Sequence, residues 1–125
     1  MPTRAHETDA GLDLYAMHGA VLSPCGMAII DTGLHVEIPK GYVGLITSKS
    51  GLMSKGITSR GTIDCGYTGS IKAVLFNHSR KVVEIEAGQK ITQLVILPII
   101  TPELEVVDSL EETDRADGGF GSTGL

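Results

Sequence analysis

The eleven residues Arg115-Ala116-Asp117-Gly118-Gly119-Phe120-Gly121-Ser122-Thr123-Gly124-Leu125 gather the parts needed to hold a phosphate chain and cover a base. Four glycines let backbone N–H groups approach a ligand closely, and Ser122 and Thr123 add hydroxyl donors. Arg115 adds a fixed positive fork and Phe120 one flat apolar face. A second stretch, Gly61-Thr62-Ile63-Asp64-Cys65-Gly66-Tyr67-Thr68-Gly69-Ser70-Ile71, puts one carboxylate and one aromatic ring in a glycine-punctuated segment that predicts a turned hairpin. Backbone groups freed by glycines can pair with the edge of a base. Asp64 would then take a proton from water and the Tyr67 ring would pack against a sugar; the plainer alternative is a turn stabilised by an Asp.

Three further polar positions stand in apolar or turn contexts. Asp13 lies between Leu12 and Leu14, and strand alternation sends it to the face opposite them, where solvent is its ordinary environment. Gln93 sits inside Ile91-Thr92-Gln93-Leu94-Val95-Ile96, so its amide must find partners. Ser50-Gly51 precedes Leu52, Met53 and Lys55, which predicts a helical turn or two over 51–56 with Ser50 as its cap and an anion site at its start.

Short β-branched runs separated by turn residues must position these groups. Strands are predicted over 27–31, 34–38, 42–47, 71–77, 82–86, 91–100 and 105–107, with tight turns at Pro39-Lys40-Gly41 and Glu86-Ala87-Gly88-Gln89. The fold class is therefore all-β. A chain of 125 residues is one domain, and with five aromatic residues its core must be built from Val, Ile, Leu, Ala and Met. A formal net charge of −5 without a polybasic stretch argues against polymeric nucleic acid as a partner. On an acidic chain a polyphosphate needs a metal ion or concentrated donors to offset repulsion. Cys25 and Cys65, forty positions apart and outside any CxxC pair, read as free thiols in a reducing compartment. The polar N-terminus and the interruption of the longest apolar run by Pro98 give no signal core or membrane span, so a cytoplasmic location is expected.

Five segments in order, AGLDLYA at 10–16, SKSGL at 48–52, GTIDCGYTG at 61–69, GQKITQL at 88–94 and RADGGFGSTG at 115–124, resemble the five motifs of the trimeric dUTPases. The resemblance spans essentially the whole chain. It implies a distorted β jelly roll over 1–110 with a mobile arm at 111–125, assembled as a homotrimer whose sites draw on all three subunits. It also implies Mg²⁺-assisted hydrolysis of dUTP to dUMP and pyrophosphate, which keeps uracil out of DNA and supplies dUMP for dTMP synthesis. Asp13 resembles the carboxylate that holds Mg²⁺ through water. Ser50 and Gly51 resemble donors to the phosphates around the breaking bond, and Gln93 the amide near the α-phosphate. Gly61, Thr62, Ile63 and Asp64 resemble the segment that reads uracil, with Lys72 on the return strand. Asp64 matches the base that activates water, and Tyr67 the ring beneath the deoxyribose. Arg115, Phe120, Gly121, Ser122 and Thr123 resemble the arm that closes over γ-phosphate and uracil.

Two departures stand out. Lys49 occupies the place usually held by Arg, keeping the charge but losing the planar two-pronged contact. The segment 53–60 is also shorter than in many relatives and lacks an Asn often found there, which leaves Thr58, Ser59 or Arg60 to anchor the uracil-reading segment. Two other functions share this scaffold. A dCTP deaminase would need a catalytic Glu near the base that has no counterpart here. A low-turnover nucleotide-sensing module engaging a regulatory protein would not require the intact Asp64, Tyr67 and arm.

Overall fold

A computed structural model describes residues 1–121, 123 and 124. Nine strands and one short helix follow one another as β1 (Gly11–Tyr15), β2 (Ala20–Leu22), β3 (Met27–His35), β4 (Tyr42–Ser48), α1 (Ser50–Met53), β5 (Ile57–Ser59), β6 (Gly61–Ile63), β7 (Ser70–Asn77), β8 (Val83–Ile85) and β9 (Lys90–Pro98). They form a four-stranded sheet in the order β1-β9-β4-β6, a three-stranded sheet β3-β7-β5 and a two-stranded pair β2-β8. Every pairing is antiparallel.

Alternation in β7 shows how the sequence builds this. Ile71, Ala73 and Leu75 point inward and are fully buried, while Lys72 and Phe76 face out, as the two-residue strand period requires. Ile71 meets Leu14, Ile46 and Leu94 from the four-stranded sheet, so the two larger sheets close on one apolar layer. A second cluster, with Leu22, Ile30, Leu52, Ile57, Leu75, Ile85 and Ile91, joins α1 and all three sheets. Burying each such aliphatic side chain is worth about 1.5–3 kcal/mol.

Several boundaries differ from those predicted. The run at 27–31 joins the first two residues of the run at 34–38 in β3, because Gly33 at φ +67° and its N–H bond to the Asp31 carboxylate make an irregularity inside one strand rather than a break. The strand ends at His35, leaving Val36, Glu37 and Ile38 outside it. The run at 91–100 stops at Pro98, and 82–86 shortens to Val83–Ile85. The segment 105–107 is not a strand: Leu104 and Val106 are bare, and a strand without a ladder partner has nothing to hold it extended. Both predicted turns are present, with Tyr42 N–H to Pro39 O at 3.1 Å and Gln89 N–H to Glu86 O at 3.1 Å. β2, β5 and β6, at three residues each, are too short for a periodic pattern to reveal.

Candidate active site

The first group of site residues sits where β1, β9 and β4 run side by side. Asp13 pairs in register with Gln93, and Gln93 with Thr47. Asp13 is not solvated: it is 3% exposed, and its carboxylate pairs with the Lys49 ammonium and, at 3.6 Å, with that of Lys90. A carboxylate buried on a strand is tolerated because two cations meet it. The Gln93 amide donates to Ser48 O at 3.1 Å. Gly11 makes room for it, since a Cβ there would fall 2.2 Å from the Gln93 Oε1. Lys49, in extended conformation, is the N-cap of α1 and makes no side-chain cap bond. Ser50 is thus the first helical residue rather than the cap. The helical ladder begins with Met53 N–H to Lys49 O at 2.8 Å, so the N–H groups of Ser50 and Gly51 precede it and are available to an acceptor.

The second group lines a separate cavity of about 220 Å³ formed by Thr62, Ile63, Asp64, Tyr67, Ser70 and Lys72. The predicted hairpin is not a paired one: β6 belongs to the four-stranded sheet and β7 to the three-stranded sheet, so the Asp64–Tyr67 turn crosses between layers. It is closed by Tyr67 N–H to Asp64 O at 3.0 Å. The Tyr67 hydroxyl donates to Ser70 O at 2.7 Å, which fixes the ring. Gly69 is required by that ring, because a Cβ would lie 2.6 Å from the tyrosine oxygen. The exposed Asp64 carboxylate takes part in no hydrogen bond or ion pair among the described residues, leaving its lone pairs open to a water or hydroxyl. At this size the cavity is below the ~300–1,000 Å³ of drug-sized pockets and suits one part of a nucleotide.

Ser59 joins the two groups. It is 4% exposed; its hydroxyl bonds that of Thr92 at 2.7 Å, its N–H donates to Ser48 Oγ at 2.9 Å, and Ser48 Oγ donates to Ser59 O at 3.0 Å. Thr92 in turn donates to Thr47 O at 2.9 Å. Of the three possible anchors, Ser59 therefore ties the start of the 61–64 segment to β4 and β9. Thr58 bonds His78 at 2.7 Å instead, and Arg60 is exposed. A larger cavity of about 590 Å³, bordered by Thr58, Arg60, Phe76 and His78, contains none of the predicted site residues beyond this joint. The Asp64 carboxylate and the Tyr67 ring converge on the smaller one.

Joined through Ser59, the two groups still stand apart along β4. Ile63 pairs with Gly44, whereas Lys49 lies five residues further along β4 and its continuation, on the order of 17 Å in extended chain. Among the described residues of the arm the hydrogen bonds are local: Arg115 Nε donates to Gly118 O at 2.7 Å, and Phe120, at φ +37°, is fully exposed. Gly121 is at φ +87°, Thr123 is exposed, and Ser122 lies outside the described residues.

The Mg²⁺ ion implied by the resemblance fits this chain indirectly. Asp13 is a hard oxygen donor, but its oxygens already face two ammonium groups, and no cluster of three His, Cys, Asp or Glu side chains occurs among the described residues. Mg²⁺ commonly keeps several waters and takes one or two carboxylates plus substrate phosphates. A water-mediated contact from Asp13 to an ion carried on the phosphates meets that requirement.

Comparison with known proteins points the same way. The deoxyuridine 5'-triphosphate nucleotidohydrolase of Alkaliphilus metalliredigens is 40% identical over 129 residues, covering 100% of this chain and 90% of its own. That of Clostridium tetani is 43% identical over 128 residues, covering 99% and 88%. The dUTPase of Staphylococcus bacteriophage 80alpha, solved with dUPNHPP, superposes with a TM-score of 0.92 at 37% identity, covering 100% of this chain and 92% of that one. A mutant dUTPase from phage phi11 of S. aureus, whose structure concerns coordination of a structural Mg(II) ion, gives 0.81 at 36% identity, covering 90% and 92%. The strand arrangement is accordingly jelly-roll-like. With the dUTPase family model matching residues 1–124, this chain belongs to the dUTPase family.

Proposed function

We propose that the protein hydrolyses dUTP to dUMP and pyrophosphate at a site completed by more than one copy of the chain. The observation that carries this reading is the cavity uniting Thr62, Ile63, Asp64 and Tyr67, with its carboxylate unpaired, far along β4 from the group of Asp13, Lys49 and Gln93. Within the cavity the backbone of 61–63 reads the uracil edge, and Tyr67, locked by Ser70, packs beneath the deoxyribose. Asp64 orients water for in-line attack on the α-phosphorus and accepts its proton. Gln93, Ser50, Gly51 and Lys49 contact phosphate oxygens, placing donors where charge develops on the leaving pyrophosphate. Mg²⁺, when bound, neutralises charge on the phosphates, with Asp13 holding its water shell.

Residues 111–125 act as the arm. Arg115 and Thr123 close on the γ-phosphate and Phe120 on the base, and ordering them over a triphosphate excludes bulk water. The separation of Asp64 from the group of Asp13, Lys49 and Gln93 along β4, and an arm whose hydrogen bonds among the described residues are all internal, favour a homotrimer with shared sites. No helix is long and apolar enough to cross a membrane, and action on free nucleotides suits the cytoplasm.

Incubation of purified protein with Mg²⁺ and dUTP, dCTP, dTTP or UTP tests the reading. Release of pyrophosphate from dUTP alone is expected, since a site built to pair with one base edge rejects the wrong pattern by up to ~10⁴–10⁵. Comparable turnover of dCTP, or of UTP within a small factor of dUTP, would refute it.

A further inference from the structure

The wall of the Asp64–Tyr67 cavity is braced from outside by a residue that touches none of its space. Asp31 on β3 stands directly across from Lys72 on β7, and Ser70, two residues from Lys72, shares the same outward face of β7. The Lys72 ammonium donates to Ser70 Oγ at 3.0 Å, and Ser70 Oγ donates to Asp31 Oδ2 at 3.2 Å. Oδ1 of the same carboxylate takes the Gly33 N–H at 2.8 Å. That bond exists because β3 departs from regular pairing just here, with Gly33 at φ +67° and register resuming at His35 opposite Ser70. Ser70 is also the residue whose carbonyl receives the Tyr67 hydroxyl. One serine therefore holds the ring through its backbone and the cation through its side chain.

We propose that Asp31 is a positioning residue for substrate binding: through the Ser70 hydroxyl it fixes the Lys72 ammonium at the rim of the nucleotide cavity. The proposal rests on the reading of that cavity as the dUTP seat. Lys72 is exposed on a four-carbon stem with three rotatable donors, and such a head wanders unless a fixed acceptor holds it. The Gly33 N–H foremost, then Ser70, Lys72 and His18, keep the Asp31 carboxyl below its ordinary range against an opposing effect of burial smaller than that of the Gly33 bond, so it stays an anion further into acid than an ordinary carboxylate. Held this way, the ammonium meets an entering carbonyl or phosphate oxygen already aimed, and Asp31 itself makes no contact with the nucleotide.

Steady-state kinetics on the full-length protein tests this with a double-mutant cycle, the apo Tm being read for every variant. Lys72→Ala is expected to raise KM for dUTP with kcat nearly unchanged. Asp31→Asn, which keeps the bond from Gly33, and Ser70→Ala should each raise KM by about three- to thirtyfold, inside the range of directly coupled pairs. Ser70→Thr should restore it. Added to Lys72→Ala, either change should have no further effect. If Lys72→Ala leaves KM unaltered, both the cavity assignment and this proposal fall. If Lys72→Ala raises KM while Asp31→Asn does not, or Asp31→Asn adds its full effect in the Lys72→Ala background alongside a lowered Tm, Asp31 is merely structural and the proposal alone is overturned.

Discussion

Asp64 and Phe120 both stand open to solvent in the chain that carries them. The Asp64 carboxylate is exposed and unbonded among the described residues, and Phe120 is fully exposed. Asp64→Asn is expected to keep nucleotide binding, measured by calorimetry, while kcat falls ~10² or more, because an amide cannot accept the proton of water. Phe120→Ala should weaken substrate capture by about ten- to a hundredfold, since stacking of a base on an aromatic ring is worth roughly 1–3 kcal/mol. The apo Tm should stay unchanged, as no neighbour is lost. Both residues were legible in sequence because glycines and polar neighbours mark them as unsuited to a core. The choice of Ser59 over Thr58 and Arg60, and the burial of Asp13, were not, because their partners Thr92, Ser48, Lys49 and Lys90 lie far away in sequence, where pairing depends on the register of β1, β9 and β4.

Among the elements, the long alternating strands and the three-residue β8 were readable, and the three-residue β2, β5 and β6 were not. The pattern of β7 announces itself. The three-residue β5 and β6 do not, although the single residue Arg60 between them lets one strand enter the three-stranded sheet and the next the four-stranded sheet. That abrupt crossing depends on the hydroxyl ladder of Ser48, Ser59 and Thr92. Ser59→Ala should cost about 1–3 kcal/mol in denaturant unfolding, the penalty for leaving buried partners unmet. It should also raise KM, because the uracil-reading segment begins two residues later. Gly69→Ala should disturb the site without comparable loss of stability: the added methyl displaces the Tyr67 hydroxyl from Ser70, and a several-fold rise in KM for dUTP is the readout. The β3–β7 bond network has its own acid limit. Because the Asp31 carboxyl is lowered in the folded state, its contribution is complete above the ordinary carboxylate range and is lost as pH falls through the lowered value.

At the scale of the whole molecule, Ile100, Leu104, Val106 and Leu110 are each more than four-fifths exposed, an unusual expense of aliphatic surface for a chain that stands alone. The run at 105–107, expected to be a strand, has no ladder partner among the described residues. A trimer in sedimentation follows, with no active monomer. Subunit mixing tests the central claim, a dUTP site shared between copies, most directly. Asp64→Asn subunits and subunits truncated before Arg115 are each inactive alone on this account. Unfolded together in equal amounts and refolded, they should regain roughly a quarter of the wild-type rate of dUTP hydrolysis, since a site drawing the base and the arm from different copies finds both intact at that frequency. Failure of the mixture to regain any activity, when each variant forms trimers and the wild type survives the same refolding, would show that Asp64 and the arm serve the site from one and the same copy.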